Sequence, residues 1–203
     1  MTFDACFAFH DLSGAKKSDH AETTIKYLFM EYINVIKSHN FKITIQNMAK
    51  QHNYSVAIKW TGNRGQGTTG YKDYDRSHTI SVVGKDDISA SSDTPFMGDK
   101  TKYNPEDMLV ASLSSCHMLW YLHLCADAGI IVTDYTDNAT AVMIQTSTGG
   151  GHFSEVTLHP VVTITDASKT EKANSLHEQA HEKCFIANSV NFPVKHESSV
   201  ISG

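Results

Sequence analysis

Residues 103–120, YNPEDMLVASLSSCHMLW, decide how this chain is read. Asn104 can cap a helix with its side chain, and Pro105 fits the first helical position, where its missing N–H costs nothing. Glu106 and Asp107 then place negative charge at the positive end of the helix dipole. The pattern predicts a helix from Pro105 to about Asp127, with Gly129 as its stop. Met108, Leu109, Val110, Leu113, Met118, Leu119, Trp120, Leu122 and Leu124 lie almost all round it. A helix apolar on every side is expected to be buried at the centre of its fold. The apolar run from Met108 to Ala126 is broken by Ser112, Ser114, Ser115, His117 and His123. A membrane span needs ~20 predominantly apolar residues, so the expectation is a core helix.

Downstream, Ile131–Thr146 and Phe153–Thr165 alternate apolar and polar residues on either side of Gly149-Gly150-Gly151. They predict two long strands of one hairpin. Ala167–Asn188 carries Ala173, Leu176, Ala180, Cys184 and Ala187 at helical spacing and predicts a second helix. A closing strand is expected over His196–Ile201. Upstream, Tyr54–Trp60, His78–Val83 and Ile88 read as short strands. The glycine-rich turn Gly62-Asn63-Arg64-Gly65-Gln66-Gly67 lies between the first two, and a loop spans Ser91–Tyr103. The sum is an α+β domain over residues 48–203. Residues 1–47 differ in character. Thr23–Lys37 has the stripe of an amphipathic helix, and Met48 opens the strand-like text. Two readings therefore stand side by side, an appended helix or a gene whose start lies at Met48.

Composition narrows the function. The 203 residues are 40% hydrophobic and 19% charged, with a net charge of −5. That supplies a core and excludes a basic field for nucleic acid or an anionic membrane. No basic segment followed by an apolar stretch opens the chain, so the expectation is a soluble cytoplasmic protein. The four cysteines, Cys6, Cys116, Cys125 and Cys184, form no CxxC pair and no secreted-type disulfide framework.

Two constellations carry chemistry. His177-Glu178-Gln179-Ala180-His181 matches HExxH, in which two imidazoles on one helix face ligate zinc beside a glutamate base. No downstream third-ligand pattern follows, and the histidine face continues into polar Asn174 and Glu182, so a solvated or thiol-bordering histidine pair is the expected reading. The second is the cysteine set. Cys116 and Cys125 are nine residues apart on one helix, facing opposite ways and ~13 Å apart along the axis, and cannot join. Cys184, on another helix, is under no such bar.

Asn104-Pro105-Glu106 with Leu109, Cys116 ten residues after Glu106, the late Cys184 and the upstream Asn63-Arg64-Gly65-Gln66-Gly67-Thr68 turn together resemble the OsmC/Ohr thiol peroxidases (osmotically inducible protein C and organic hydroperoxide resistance proteins). The likeness spans residues 54–201. It departs where His117 follows the first cysteine in place of the common phenylalanine and where no proline follows Cys184. The resemblance implies an intertwined homodimer with antiparallel-rich sheets around long central helices, working without a cofactor. It implies reduction of organic hydroperoxides, with Cys116 as peroxidatic and Cys184 as resolving cysteine. Arg64, with Arg76 as a rival, would hold the thiolate, Glu106 would orient the arginine, and a dithiol of lipoyl or other type would recycle the disulfide. Leu113, Leu119, Trp120, Phe96 and Met97 would line the approach. Glu106 and Cys116 are ~15 Å apart on one continuous helix, so a shared site needs either Glu106 from an antiparallel partner chain or a helix that begins well after Glu106. The Asn104-Pro105-Glu106-Asp107 start argues against the second. The competing functions are an OsmC-like binding protein with little turnover and a zinc hydrolase.

Overall fold

The computed structural model describes residues 50–203 together with Leu28, Met30 and Glu31. Those three residues are helical, and the remainder of the expected 23–37 helix, with the rest of residues 1–47, lies outside the described residues. From Tyr54 onward the chain forms one compact unit.

Helix α1, Pro105–Asp127, begins and ends where its signals stand. The Asn104 side chain accepts from Asp107 N at 2.7 Å and the Asp107 carboxylate accepts from Asn104 N at 3.3 Å, a reciprocal capping box. Gly129 reverses the chain at φ 66°, a value costly for any residue with a Cβ. By length and composition α1 is apolar enough to cross a membrane. In this fold its buried residues are Leu113, His117, Tyr121 and Cys125, a stripe of every fourth residue. The expectation of burial on all sides is therefore corrected for the single chain: one face packs, and apolar side chains on others stay open, Leu119 being 62% exposed.

Among the described residues nine strands make three three-stranded sheets. Strands β1 (Ala57–Trp60), β2 (His78–Ser81) and β3 (Ile88–Ala90) pair in antiparallel order β1-β2-β3. The two long alternating stretches each divide in two. Strands β5 (Thr140–Gln145) and β6 (Gly151–Leu158) form the expected hairpin tip. Strands β4 (Val132–Asp137) and β7 (Pro160–Ile164) pair in a different sheet. A single long hairpin is thus corrected to two sheets sharing a crossover, where the Asp137 carboxylate accepts from His159 N at 2.7 Å. The predicted closing strand is likewise two pieces. Strand β8 (Val194–His196) runs parallel to β6, and β9 (Ser199–Ser202) runs parallel to β7.

Helix α2, Thr170–Lys183, follows a 3-10 turn at Ala167–Lys169. It stops short of the expected Asn188, leaving Cys184 as its extended C-cap. The chain leaves the helix at Cys184, whose backbone is extended, and the Asn188 side-chain amide donates to Glu182 O at 2.9 Å, satisfying a carbonyl that a continuing helix would have paired with a backbone N–H. The core has two parts. Tyr121 and Cys125 pack with Ile130, Val162, Ile164, Ala173, Leu176 and Ala180, joining α1 to α2 and the β4-β7-β9 sheet. Leu113 packs with Val156 and Leu158 on the β5-β6-β8 sheet. The stripe on α1 is therefore the keel of both sheets, which fixes where Cys116, one residue off that stripe, emerges.

Candidate active site

Cys116 leaves α1 beside its buried stripe and opens into a cavity of about 890 Å³ lined by Tyr54, Lys85, Ser112, Ser115, Leu119, Trp120, His123, Phe185 and Ile186. Cys184, 1% exposed, forms the C-cap of α2, and its thiol neighbours that of Cys116. Burial, then that contact, pushes the Cys184 thiol up to about 11. Its sulfur also accepts from Ala187 N at 3.4 Å. All three described cysteines are free thiols. Cys125 sits on the other side of α1 against Tyr121, its thiol raised by burial. The fold thus brings Cys116 and Cys184 together, one open to the cavity and one held protonated behind it.

The other expected partners stand elsewhere in the single chain. Arg64 lies on the glycine-rich turn, where Asn63 Oδ1 accepts from Gly65 N at 2.8 Å and Gly67 N at 3.0 Å. Its guanidinium donates to Lys72 O at 2.7 Å and lies 3.5 Å from the Asp75 carboxylate. Arg76 is closed in between Tyr71 and Tyr74, 4.3 and 4.2 Å from their ring centres, and donates to both their carbonyls. Glu106 lines a second cavity, of about 870 Å³, with Tyr103, Tyr135 and Asp137. Its Oε2 is buried without a hydrogen-bond partner among the described residues. Neither Arg64 nor Glu106 lines the Cys116 cavity of the same chain.

Of the expected lining, Leu119 and Trp120 are there. Leu113 is corrected: it belongs to the buried stripe and turns inward. Phe96 and Met97 sit at the 3-10 turn Thr94–Phe96 and its cap, and do not line this cavity. Lys85, Tyr54, Phe185 and Ile186 were not anticipated. The turn after Cys184 could have signalled Phe185 and Ile186, while nothing in the sequence marks Lys85. His123, one of the polar breaks in the apolar run, is exposed and lies 3.4 Å from Asp127.

The HEQAH segment is also corrected. His177 is fully buried rather than solvated, and its Nδ1 is 3.0 Å from His117 Nε2. Glu178 lies 3.4 Å from His196. Among the described residues no group of three or more His, Cys, Asp or Glu side chains is arranged to hold a metal ion.

An α+β fold with a long central helix and a paired-thiol site defines the class. The family model for OsmC-like protein matches residues 98–199. An OsmC-like protein of unknown function from Vibrio cholerae is 33% identical, with a TM-score of 0.66 over 73% of this chain and 99% of that one. An organic hydroperoxide resistance protein from Elizabethkingia anophelis shares the fold at 20% identity, with a TM-score of 0.54, 76% of this chain and all of that one being covered (100%). An OsmC-like protein from Mycoplasma pneumoniae does so at 11% identity and a TM-score of 0.57, over 75% of this chain and 99% of that one. No curated protein matches the chain. The chain belongs to the OsmC-like family.

Proposed function

We propose that the protein is a cysteine-based peroxidase that reduces organic hydroperoxides. The observation that carries this reading is the contact between Cys116, open to an apolar cavity, and the buried Cys184 thiol. The Cys116 thiolate attacks the outer peroxide oxygen; the O–O bond breaks, the alkoxide takes a proton to become the alcohol, and the sulfur is left as sulfenic acid. Cys184 then displaces hydroxide from that sulfur, its own proton completes a water molecule, and the Cys116–Cys184 disulfide forms. An external dithiol reduces the bridge by two exchange steps and departs as its own disulfide. Leu119, Trp120, Phe185 and Ile186 favour an organic substituent over hydrogen peroxide.

The thiolate needs a permanent cation, and Arg64 oriented by Glu106 supplies it across a homodimer. Three features support that assembly: the open apolar side of α1, the unpartnered buried Glu106 oxygen, and its separation from Cys116 in one chain. Mixing Glu106→Ala chains with Cys116→Ser chains tests it. Composite sites regain up to one working site per heterodimer. Heterodimers that form and stay inactive contradict it. Peroxide consumption coupled to a lipoyl-type dithiol tests the activity itself, and absence of turnover with several alkyl hydroperoxides contradicts it.

A further inference from the structure

Behind the two thiols lies a group of buried imidazoles that the peroxidase chemistry leaves unused. His117 follows Cys116 directly on α1 and is 1% exposed. His177 stands seven residues before Cys184, about two turns and so on the same side of α2, and is 0% exposed. Nε2 of His117 and Nδ1 of His177 are 3.0 Å apart, and the two rings are parallel to within 4°. The Tyr121 ring stacks on His177 with centroids 3.9 Å apart. Among the described residues this is the one hydrogen bond linking a side chain on α1 to a side chain within α2. It joins the helices that carry the two cysteines, next in sequence to the attacking one.

Proton counting shows what the pair tolerates. A hydrogen bond between two ring nitrogens needs one N–H and one bare nitrogen. The outer nitrogens, His117 Nδ1 and His177 Nε2, are buried without partners. In either tautomer one of them is an unpaired N–H and the other an unpaired acceptor, a cost the fold carries to keep this contact. The surroundings oppose further protons. From β8, His196 lies 5.5 and 5.9 Å from the two rings, its Nε2 3.4 Å from the Glu178 carboxylate of α2. His181, also on α2, is 6.0 Å from His196. From α1 comes the neutral Tyr121, and from β4 Tyr135 and Asp137, the last drawing His117 the other way. Burial first, and imidazole neighbours next, hold His117 down at about 4 and His177 at about 3.

We propose that the neutral His117–His177 pair is a positioning device for the second half-reaction, holding the end of α2 so that Cys184 stays against Cys116. The inference rests on the peroxidase reading and assigns these histidines no part in the attack on the peroxide. Formation of the S–S bond with release of water requires the two sulfurs in bonding alignment. Displacing one partner by ~1 Å costs such a step up to ~100-fold. A slip of α2 along α1 withdraws Cys184 while leaving Cys116 in its cavity.

Single-turnover kinetics on the full chain separate the two halves. Peroxide loss reports the first, and mass spectrometry after trapping sulfenic acid with a carbon nucleophile reports the second. His177→Phe keeps an aromatic ring to stack on Tyr121 but cannot hydrogen-bond. It should leave the first step within ~3-fold of the native rate and slow bridge formation ~10–100-fold, with sulfenic acid accumulating. His177→Asn, whose amide places a polar atom near the Nδ1 position, should restore most of the loss. His117→Phe should repeat the defect from the other helix, and serves if His177→Phe does not fold. Native ¹⁵N spectra of the rings supply a reading that needs no variant: both stay neutral at pH 5.5. The proposal is overturned by both steps slowing together, by native-rate bridging in the phenylalanine variants, or by doubly protonated rings at pH 5.5. A native protein that never bridges sinks the peroxidase reading itself, a different result from a bridging native protein whose variants match it.

Discussion

Acidification should destabilise this protein through two particular imidazoles. His117 and His177 titrate at about 4 and about 3 in the folded chain, against an ordinary 6.5. Their folded values lie below the unfolded one, so below pH 6.5 the unfolded chain binds protons that the folded chain refuses, and stability falls. Above pH 6.5 both rings are neutral in both states and contribute nothing. At pH 5 the unfolded chain is protonated at both positions while the folded chain is nearly bare. Each ring then costs up to about 1.36 × 1.5, or ~2 kcal/mol. The pair costs ~2–4 kcal/mol, the lower figure allowing for solvent screening. Urea denaturation at pH 7.5 and 5.0, at one protein concentration, measures the difference. His177→Phe removes one of the two sites and should lower the proton uptake on unfolding between pH 6.5 and 4 by about one. An unchanged uptake in the variant, or a native midpoint flat from pH 7.5 to 5, refutes the reasoning.

Other outcomes follow from the same geometry. Cys116→Ser should abolish peroxide turnover, whereas Cys184→Ser should consume one equivalent and stall as a sulfenic acid, both read by single-turnover assay and intact mass. Gly98→Ala should be strongly destabilising, by ~2 kcal/mol or more in a thermal or urea melt, because the new Cβ would collide with the Ser92 carbonyl, which is backbone and cannot turn aside. Cys125→Ala should leave peroxidase rates within ~2-fold while lowering stability by ~1–2 kcal/mol, since that thiol fills the core beside Tyr121 and lies away from the cavity.

How far the sequence led depends on how local each signal is. Helix α1 was legible end to end because Asn104, Pro105, Asp107 and Gly129 act on backbone groups within a turn of themselves. The end of α2 was not, since Asn188 reaches back to Glu182 without any glycine or proline to announce it. Alternation marked the strands of 131–165 but is blind to a change of sheet, which the contact from Asp137 to His159 settles only in three dimensions. Helix arithmetic excluded a Cys116–Cys125 bridge, and the family likeness then pointed to Cys116 with Cys184, the two thiols the fold brings together. The histidines were not legible: His177 shares its sequence face with polar Asn174 and is buried only because His117 and Tyr121 meet it from another helix. Arg64 and Glu106 matched a pattern, yet neither lines the Cys116 cavity of its own chain, and a sequence motif carries no information on where its members meet in space.

The most direct test of the central claim is a disulfide map after one equivalent of an organic hydroperoxide. The account predicts an intact mass lower by two hydrogens, a single peptide pair joining Cys116 to Cys184, and Cys125 recovered as a free thiol. A Cys116–Cys125 bridge, or a sulfenic acid on Cys116 that persists with Cys184 unmodified, would contradict it.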